Sequence, residues 1–308
     1  NDLFSFPKPS VHYLSNGSTV VVVVDPSAKI SSSYVFVKTG SIFEDEVIGS
    51  GVSHYLEHLL SGGTTKFKSE DEYRNIIDEL GGASNAYTTY NHTAYYIHTS
   101  SKNINKALQT LYEWTIYGDW TEVELKRERG VIHKEMERAA SNIDRNVFQN
   151  VQALFYQGSP YQYPILGKME MFNQLTDEKL RYYYKSRYVP ENLVIVVGGD
   201  VSKNAVLSYI ENTFGKEPFV SRKNQYNSNQ KRILSESKSL IIIPELKTKR
   251  IVLRYPTVSF YENDVYPLDL LAYILGNGQQ SLLYKEFVTK NKLATSINVR
   301  SIKIGRAH

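Results

Sequence analysis

The sequence contains no cysteine and no long hydrophobic segment. Without cysteine among its 308 residues, the chain can form neither disulfide bonds nor thiolate metal sites, so His, Asp and Glu are the strong metal ligands that remain. The longest aliphatic run covers residues 20–24, which is the length of a strand and far below the roughly 18 residues that cross a membrane. We therefore expect no membrane span.

An excess of one charge is also missing. The chain has 36 basic and 32 acidic residues, a net charge of +4 and no arginine-rich block, which argues against a nucleic-acid partner. Apolar residues make up 41% and charged residues 22%, as in folded globular proteins, and the length favours two domains. Because the chain begins at Asn1 rather than Met, we expect that an upstream segment, such as a signal peptide, has been removed or is not included, which slightly favours a periplasmic or otherwise exported protein over a cytoplasmic one.

The most informative segment is the pattern H-x-x-E-H, formed by His54, Glu57 and His58. On a helix, residues four apart share a face, so both imidazoles can approach one metal ion while Glu57 lies beside them. This order is the reverse of H-E-x-x-H and is called the inverzincin motif. Two histidines leave a catalytic zinc one protein ligand short. An arbitrary pair of histidines at this spacing would more often lie on a polar helix face, but the glutamate between them favours a metal site.

A second predicted helix offers the missing ligand. Glu128 and Glu135 are seven residues apart, which is two helical turns, so both side chains face the same way. Glu135 can bind the metal while Glu128 hydrogen-bonds a ligating imidazole or holds charge near the ion. His133 is a competing ligand, yet it points to nearly the opposite side of the helix from Glu135. Taken alone, the two glutamates could also belong to a solvated charged face, since further glutamates lie nearby.

Periodicity, caps and turn residues predict an α+β fold. Asn16 and Gly17 form a hairpin signal between two strands, and Ser69 begins the capping box of a helix that ends at Gly81 and Gly82. Further strands are predicted at residues 20–24, 34–38, 83–87, 93–99 and 193–197, and further helices at residues 48–61, 104–117, 122–140, 144–155, 177–188 and 204–214.

A polar segment, residues 219–238, divides the chain. Its Asn, Ser, Gln and Lys content predicts a linker between a first domain, residues 1–218, and residues 239–308. The latter part repeats the element order of the start of the first domain, with strands at 240–243 and 250–255, helices at 265–275 and 281–288, and a strand at 302–304. We interpret it as the N-terminal part of a second, truncated copy, because it has about 70 residues against about 220.

With these residues in place, the sequence resembles the pitrilysin and mitochondrial processing peptidase family of zinc metallopeptidases. In that family a glutamate ligand follows the second histidine by 77 positions, and Glu135 lies at that distance from His58. The family's supporting glutamate falls on Glu128. Its Gly-Gly-x-x-Asn-Ala-x-Thr stretch appears here as residues 81–88, and further family-like segments are residues 160–167, 188–193 and 275–283.

The resemblance implies a zinc-dependent endopeptidase that hydrolyses peptides or extended polypeptide segments. It implies one Zn²⁺ per chain, held by His54, His58 and Glu135, with Glu128 as support and Glu57 as the general base. It also implies that Asn85 and Ala86, on a predicted edge strand, contact the substrate backbone.

Partners follow from the same resemblance. Family members pack two α+β layer domains, or two subunits, around a cavity, so a homodimer or a heterodimer with a family partner is expected. The family's substrate-facing Arg and Tyr residues come late in the second domain, and this chain ends before them. The alternative function is a non-catalytic partner subunit that binds peptide or assembles with an active subunit. Degenerate ligands would favour that alternative, and all four site residues are intact here.

Overall fold

The computed structural model describes residues 7–220, 249–258 and 261–302. The chain divides into two compact units, one that consists chiefly of residues 1–230 and one that consists chiefly of residues 246–308. Most of the predicted linker, residues 221–238, and the predicted strand at 240–243 lie outside the described residues. The bounds predicted for the two domains therefore stay a prediction.

The larger unit is built on a six-stranded mixed sheet. Its strands are β1 (Ser10–Tyr13), β2 (Thr19–Val24), β3 (Ile30–Val37), β4 (Ala83–Thr88), β5 (Thr93–Ser100) and β6 (Leu193–Gly199). In space they follow the order β1-β2-β6-β3-β5-β4. Strands β2 and β6 run parallel, and all other neighbours are antiparallel. The predicted α+β class with a mixed sheet is confirmed.

Helices cover one face of this sheet. They are α1 (Val52–Leu60), α2 (Glu70–Leu80), α3 (Ile104–Tyr117), α4 (Glu122–Ser141), α5 (Ile143–Phe155), α6 (Met169–Asn173), α7 (Asp177–Arg187) and α8 (Lys203–Asn212). Val35, Tyr95 and Ile97 of the sheet are buried in one core with Leu56 of α1 and Leu108 of α3. Because side chains alternate across a strand, the opposite face carries a different set, which includes the half-buried, stacked rings of Tyr34 and Tyr96.

Most predicted helices are present, but two details differ. Helix α1 begins at Val52 rather than at residue 48, because residues 41–47 form two 3-10 turns and Gly51 adopts a left-handed conformation with φ 75°. The short helix α6 was not predicted, because five residues are too few to display a 3.6-residue period.

The smaller unit contains the predicted helix at 265–275, observed as α9 (Val265–Gly276). Where a helix was predicted at 281–288, a π-helical segment spans Tyr284–Lys290. The predicted strand at 250–255 is wrong: residues 249–258 form no regular element, and Ile251 and Leu253 are 86% and 73% exposed, with no described strand beside them. The predicted strand at 302–304 lies outside the described residues beyond Ile302. No helix in the described part of the chain is long and apolar enough to cross a membrane.

A capping box fixes the start of α2. The Ser69 side chain accepts a hydrogen bond from the Glu72 amide, and the Glu72 side chain accepts one from the Ser69 amide, as predicted. Ser202 occupies the same position at the start of α8, but its side chain makes no capping bond. Ser202 is therefore a suitable control for a substitution of Ser69.

We expect Ser69→Ala to lower the free energy of unfolding by about 1 kcal/mol, because the substitution leaves a helix-end amide without its acceptor. Ser202→Ala is the control and should change the stability by no more than a few tenths of a kcal/mol. Urea unfolding followed by circular dichroism measures both. Equal losses in the two variants would contradict a capping role for Ser69.

A buried carboxylate in α3 joins that helix to the start of α2. Glu113 is 4% exposed and accepts hydrogen bonds from Lys68 Nζ at 2.6 Å, Tyr73 Oη at 2.7 Å and Gln109 Nε2 at 2.9 Å. Burial by itself would raise the pKa of Glu113, but these bonds, that of Lys68 foremost, hold the pKa below its usual value. The ionised form therefore stabilises the fold.

We expect Glu113→Gln to destabilise the protein by about 2 kcal/mol at pH 7, because the ionic bond to Lys68 is lost. The folded-state pKa is depressed, so this stabilisation is present above the unfolded pKa near 4.5 and disappears as the pH falls through the folded pKa. Urea unfolding at pH 7, 5 and 3 should show the two proteins converging on acidification. Parallel stability curves would contradict the assignment.

Candidate metal centre

Helix α1 presents its two histidines away from the core. Tyr55, Leu56 and Leu59 are buried, each 2% exposed or less, so the helix is fixed with His54 and His58 on the half-buried side. The two imidazole rings lie edge to face with their centroids 4.7 Å apart. Because of their i, i+4 spacing on α1, His54 and His58 therefore offer two adjacent nitrogen donors.

Helix α4 runs beside α1 and brings a carboxylate to these rings. Glu135 Oε2 lies 3.7 Å from His54 Nε2, and Glu135 Oε1 lies 3.7 Å from His58 Nε2. One donor atom from each of the three side chains lies within 4.8 Å of the other two, and no other such group of three occurs in the part of the chain that the structure describes. His54 and His58 of α1 thus form one three-donor cluster with Glu135, which lies 77 positions after His58 in the sequence.

Glu128 lies behind one of these rings. Its Oε2 is 3.4 Å from His58 Nδ1, while its Oε1 accepts a hydrogen bond from Arg127 Nε at 2.9 Å. Arg127 in turn donates to Glu70 Oε2 at 2.8 Å. The interaction with His58 lowers the pKa of Glu128. It also orients His58 so that Nε2 points to Glu135.

The electrostatics differ between the two histidines. Burial, followed by the charge of His58, lowers the pKa of His54 to about 3, so this ring is neutral and able to donate a lone pair. For His58, burial would lower the pKa, but the bond to Glu128 and the charges of Glu135 and Glu57 outweigh it and raise the pKa. His54 Nδ1 finds no hydrogen-bond partner among the described residues, unlike His58 Nδ1.

Glu57 lies on the same helix, between the two histidines. Its Oε2 accepts a hydrogen bond of 2.7 Å from Thr88 Oγ1 at the end of β4. Burial is the main cause that raises the pKa of Glu57. Thr88 belongs to the Gly-Gly-x-x-Asn-Ala-x-Thr stretch, but sequence reasoning assigned it no role.

The edge strand β4 carries Asn85 and Ala86 next to this cluster. A cavity of about 300 Å³ opens beside Glu57 and His58, and both β4 residues line it together with the start of α4. Asn85 is exposed, and its Oδ1 accepts a hydrogen bond from the Ala86 amide at 2.9 Å.

His133, the competing ligand, lies apart from the cluster. It is half-buried, its Nε2 is 2.7 Å from Asn173 Oδ1, and its ring packs edge-on against Phe172. The structure therefore brings together His54, His58, Glu57, Glu128 and Glu135 and leaves His133 on another side of α4.

The chain also resembles known proteins. Residues 19–169 match the family model described as "Insulinase (Peptidase family M16)", and residues 174–304 match "Peptidase M16 inactive domain". Among curated relatives, the probable mitochondrial-processing peptidase subunit beta of Arabidopsis thaliana is 27% identical over 92% of this chain and 53% of its own length. The uncharacterized zinc protease YmxG of Bacillus subtilis is 28% identical over 92% of this chain and 67% of its own length.

Solved protease structures also share the fold of this chain. A protease from Helicobacter pylori superposes with a TM-score of 0.75 at 26% identity and covers 98% of this chain and 73% of that one. The periplasmic protease PqqL from Escherichia coli shares the fold, with a TM-score of 0.63 at 24% identity over 71% of this chain and 25% of that one.

The chain spans 53% and 64% of the length of the beta subunits from Arabidopsis thaliana and Blastocladiella emersonii. The two family models lie one after the other and together cover most of the sequence. The chain therefore belongs to peptidase family M16, the insulinase family that includes the mitochondrial processing peptidases.

Proposed function

We propose that this protein is a zinc-dependent endopeptidase that hydrolyses peptides or extended polypeptide segments. The observation that carries the proposal is the convergence of His54, His58 and Glu135 with a carboxylate, Glu57, on the same helix. Relatives named as zinc proteases support the choice of metal.

The donor spacing fits a zinc ion. Tetrahedral zinc with ligand bonds of about 2.0–2.1 Å keeps its donor atoms about 3.3 Å apart. Each imidazole lies 3.7 Å from one oxygen of Glu135, and one donor atom from each residue lies within 4.8 Å of the other two, so the donors would need to approach one another by up to about 1.5 Å to hold the ion. His54, His58 and Glu135 would hold one Zn²⁺, and Glu128 would fix the ring of His58. When bound, the ion would lower the pKa of a water molecule and polarise the scissile carbonyl.

Glu57 would act as the general base. A raised pKa makes its carboxylate a better proton acceptor near neutral pH than an exposed glutamate. The hydrogen bond from Thr88 holds one oxygen of Glu57, so the other can accept a proton from the attacking water and later pass it to the leaving amine. Because Thr88 ends β4, the same contact joins the base to the strand next to which a substrate would lie.

The peptide would bind along β4. Thr89 and His92 form a hydrogen-bonded pair at the turn of the β4–β5 hairpin. In an antiparallel ladder only every second pair is hydrogen-bonded, so the pair of Ala86 and Tyr95, three positions along, is not. The backbone N–H and C=O of Ala86 therefore face outward from the edge of the sheet. An extended peptide could add there as a further strand. The Ala86 amide is held by Asn85 Oδ1, so Asn85 would release it and turn to the substrate backbone.

The second candidate is a non-catalytic partner subunit that binds peptide or assembles with an active subunit. The expected assembly is a homodimer or a heterodimer with a family partner. Two observations favour an assembly of different domains or subunits. Residues 174–304 match a domain described as inactive, and several relatives are named as beta subunits. The complete set of donors and base in the larger unit favours catalysis.

The ligand assignment is tested by zinc titration with a chelator competitor. We expect His58→Ala to weaken zinc binding by more than about 100-fold, since even the loss of an outer partner of a metal ligand costs 10- to 100-fold. His133→Ala is the matched control, because His133 lies on the ligand helix α4 but binds Asn173. It should bind one zinc per chain as the wild type does, and equal losses in both variants would contradict the assignment.

Catalysis is tested separately with Glu57→Gln. This variant should still bind one zinc per chain and should cleave an unfolded polypeptide about 10² to 10⁴ times more slowly than the wild type, because the general base is lost. The assay is run on the protein alone and with any partner subunit present. Full zinc occupancy without Glu57-dependent cleavage would leave the non-catalytic subunit as the function.

A further inference from the structure

Helix α1 begins without a capping side chain of its own. The residue before its first turn is Gly51, in a left-handed conformation, and a side chain there would collide with the carbonyl oxygen of Leu166. A residue such as Ser or Asp therefore cannot occupy the position that caps most helices. The free amides at this end need another acceptor.

Glu44 supplies it from seven residues upstream. Its Oε1 accepts a hydrogen bond from the Ser53 amide at 3.0 Å, and its Oε2 accepts one from the Gly51 amide at 3.3 Å. Glu44 is 1% exposed, and burial raises its pKa to about 8 while the bonds from the helix end oppose that rise. Burying a carboxyl group there costs free energy of folding, so we expect Glu44 to have a role other than packing.

The same end of α1 is tied to two other elements. Ser53 Oγ lies 2.9 Å from Tyr183 Oη on α7, and Tyr183 Oη lies 2.8 Å from Thr39 Oγ1, just after β3. Arg187, also on α7, pairs with Asp45 next to Glu44. The first turn of α1 is thereby fixed to the sheet and to α7 by buried polar contacts.

This first turn leads directly into the proposed metal ligands. His54 follows Ser53, and His58 lies five residues beyond Ser53, at about 7.5 Å along the helix axis. A small tilt or rotation of the helix start would move both imidazoles relative to Glu135 on α4, and metal sites tolerate displacements of only about 0.5 Å.

We propose that Glu44 is a positioning residue that fixes the start of α1 so that His54 and His58 face Glu135. Glu44 touches neither the donor cluster nor the cavity beside it. The proposal rests on the function proposed above, but the order of α1 can be measured without metal.

The test compares Glu44→Gln with Glu113→Gln. Both substitutions replace a buried carboxyl group by an amide, but the hydrogen bonds described for Glu113 go to α2, α3 and Lys68 and not to α1. Stability is measured by urea unfolding with a chelator present, zinc affinity by chelator competition, and peptide hydrolysis at saturating zinc. Glu44→Gln should weaken zinc binding about 10-fold or more and lower kcat with little change in KM. Glu113→Gln should keep zinc affinity within about twofold.

A second readout separates this proposal from the proposed function. In the metal-free protein, amide exchange in α1, taken relative to exchange of the central strand β3 in the same variant, should rise at least about 10-fold in Glu44→Gln and remain unchanged in Glu113→Gln. Tyr183→Phe, which keeps the ring and loses the bonds to Ser53 and Thr39, should shift zinc affinity in the same direction by less.

Three results are decisive. Equal zinc affinities in the two glutamine variants at similar stability, or unchanged α1 exchange in Glu44→Gln, would overturn the positioning role. A wild type that binds no zinc would overturn the proposed function, while faster α1 exchange in Glu44→Gln would still support the role of Glu44 in ordering the helix.

Discussion

The contact between α1 and α4 is the constraint on which the site depends. Tyr55 lies in α1 between the two histidines, is fully buried and donates a hydrogen bond of 2.7 Å to the carbonyl oxygen of Leu125 in α4. Its ring packs edge-on against Phe172 of α6, and the guanidinium of Arg129 lies over both rings. One buried aromatic residue thereby joins three helices, and the histidines on either side of it are turned to α4.

The charges of the site favour a bound cation. Glu57, Glu128 and Glu135 surround two imidazoles of which one, His54, is neutral. Carboxylates held this closely in a partly buried site repel one another unless positive charge lies between them. The bond to His58 compensates Glu128, and a metal ion at the three donors would compensate the others. The charges of the site are therefore consistent with the bound cation proposed above.

Much of the fold could be predicted because its signals are local. The capping box at Ser69, the alternation in β5 and the long periodic helix α3 each depend on residues within one or two turns. The strand predicted at 250–255 failed because a β-branched, apolar stretch becomes a strand only where a neighbour pairs with it. Glu44 was missed for a similar reason, since nothing near it in the sequence indicates that it accepts bonds from the start of α1.

The sequence by itself determined which donors the chain offers and which helices carry them. With no cysteine, the H-x-x-E-H spacing and a glutamate 77 positions later limit the candidate site to a few side chains. Only the tertiary structure decided that Thr88 holds Glu57 and that Glu44 caps α1. These relations join residues far apart in the chain, and their geometry follows from how the buried faces of the helices pack, which local periodicity does not specify.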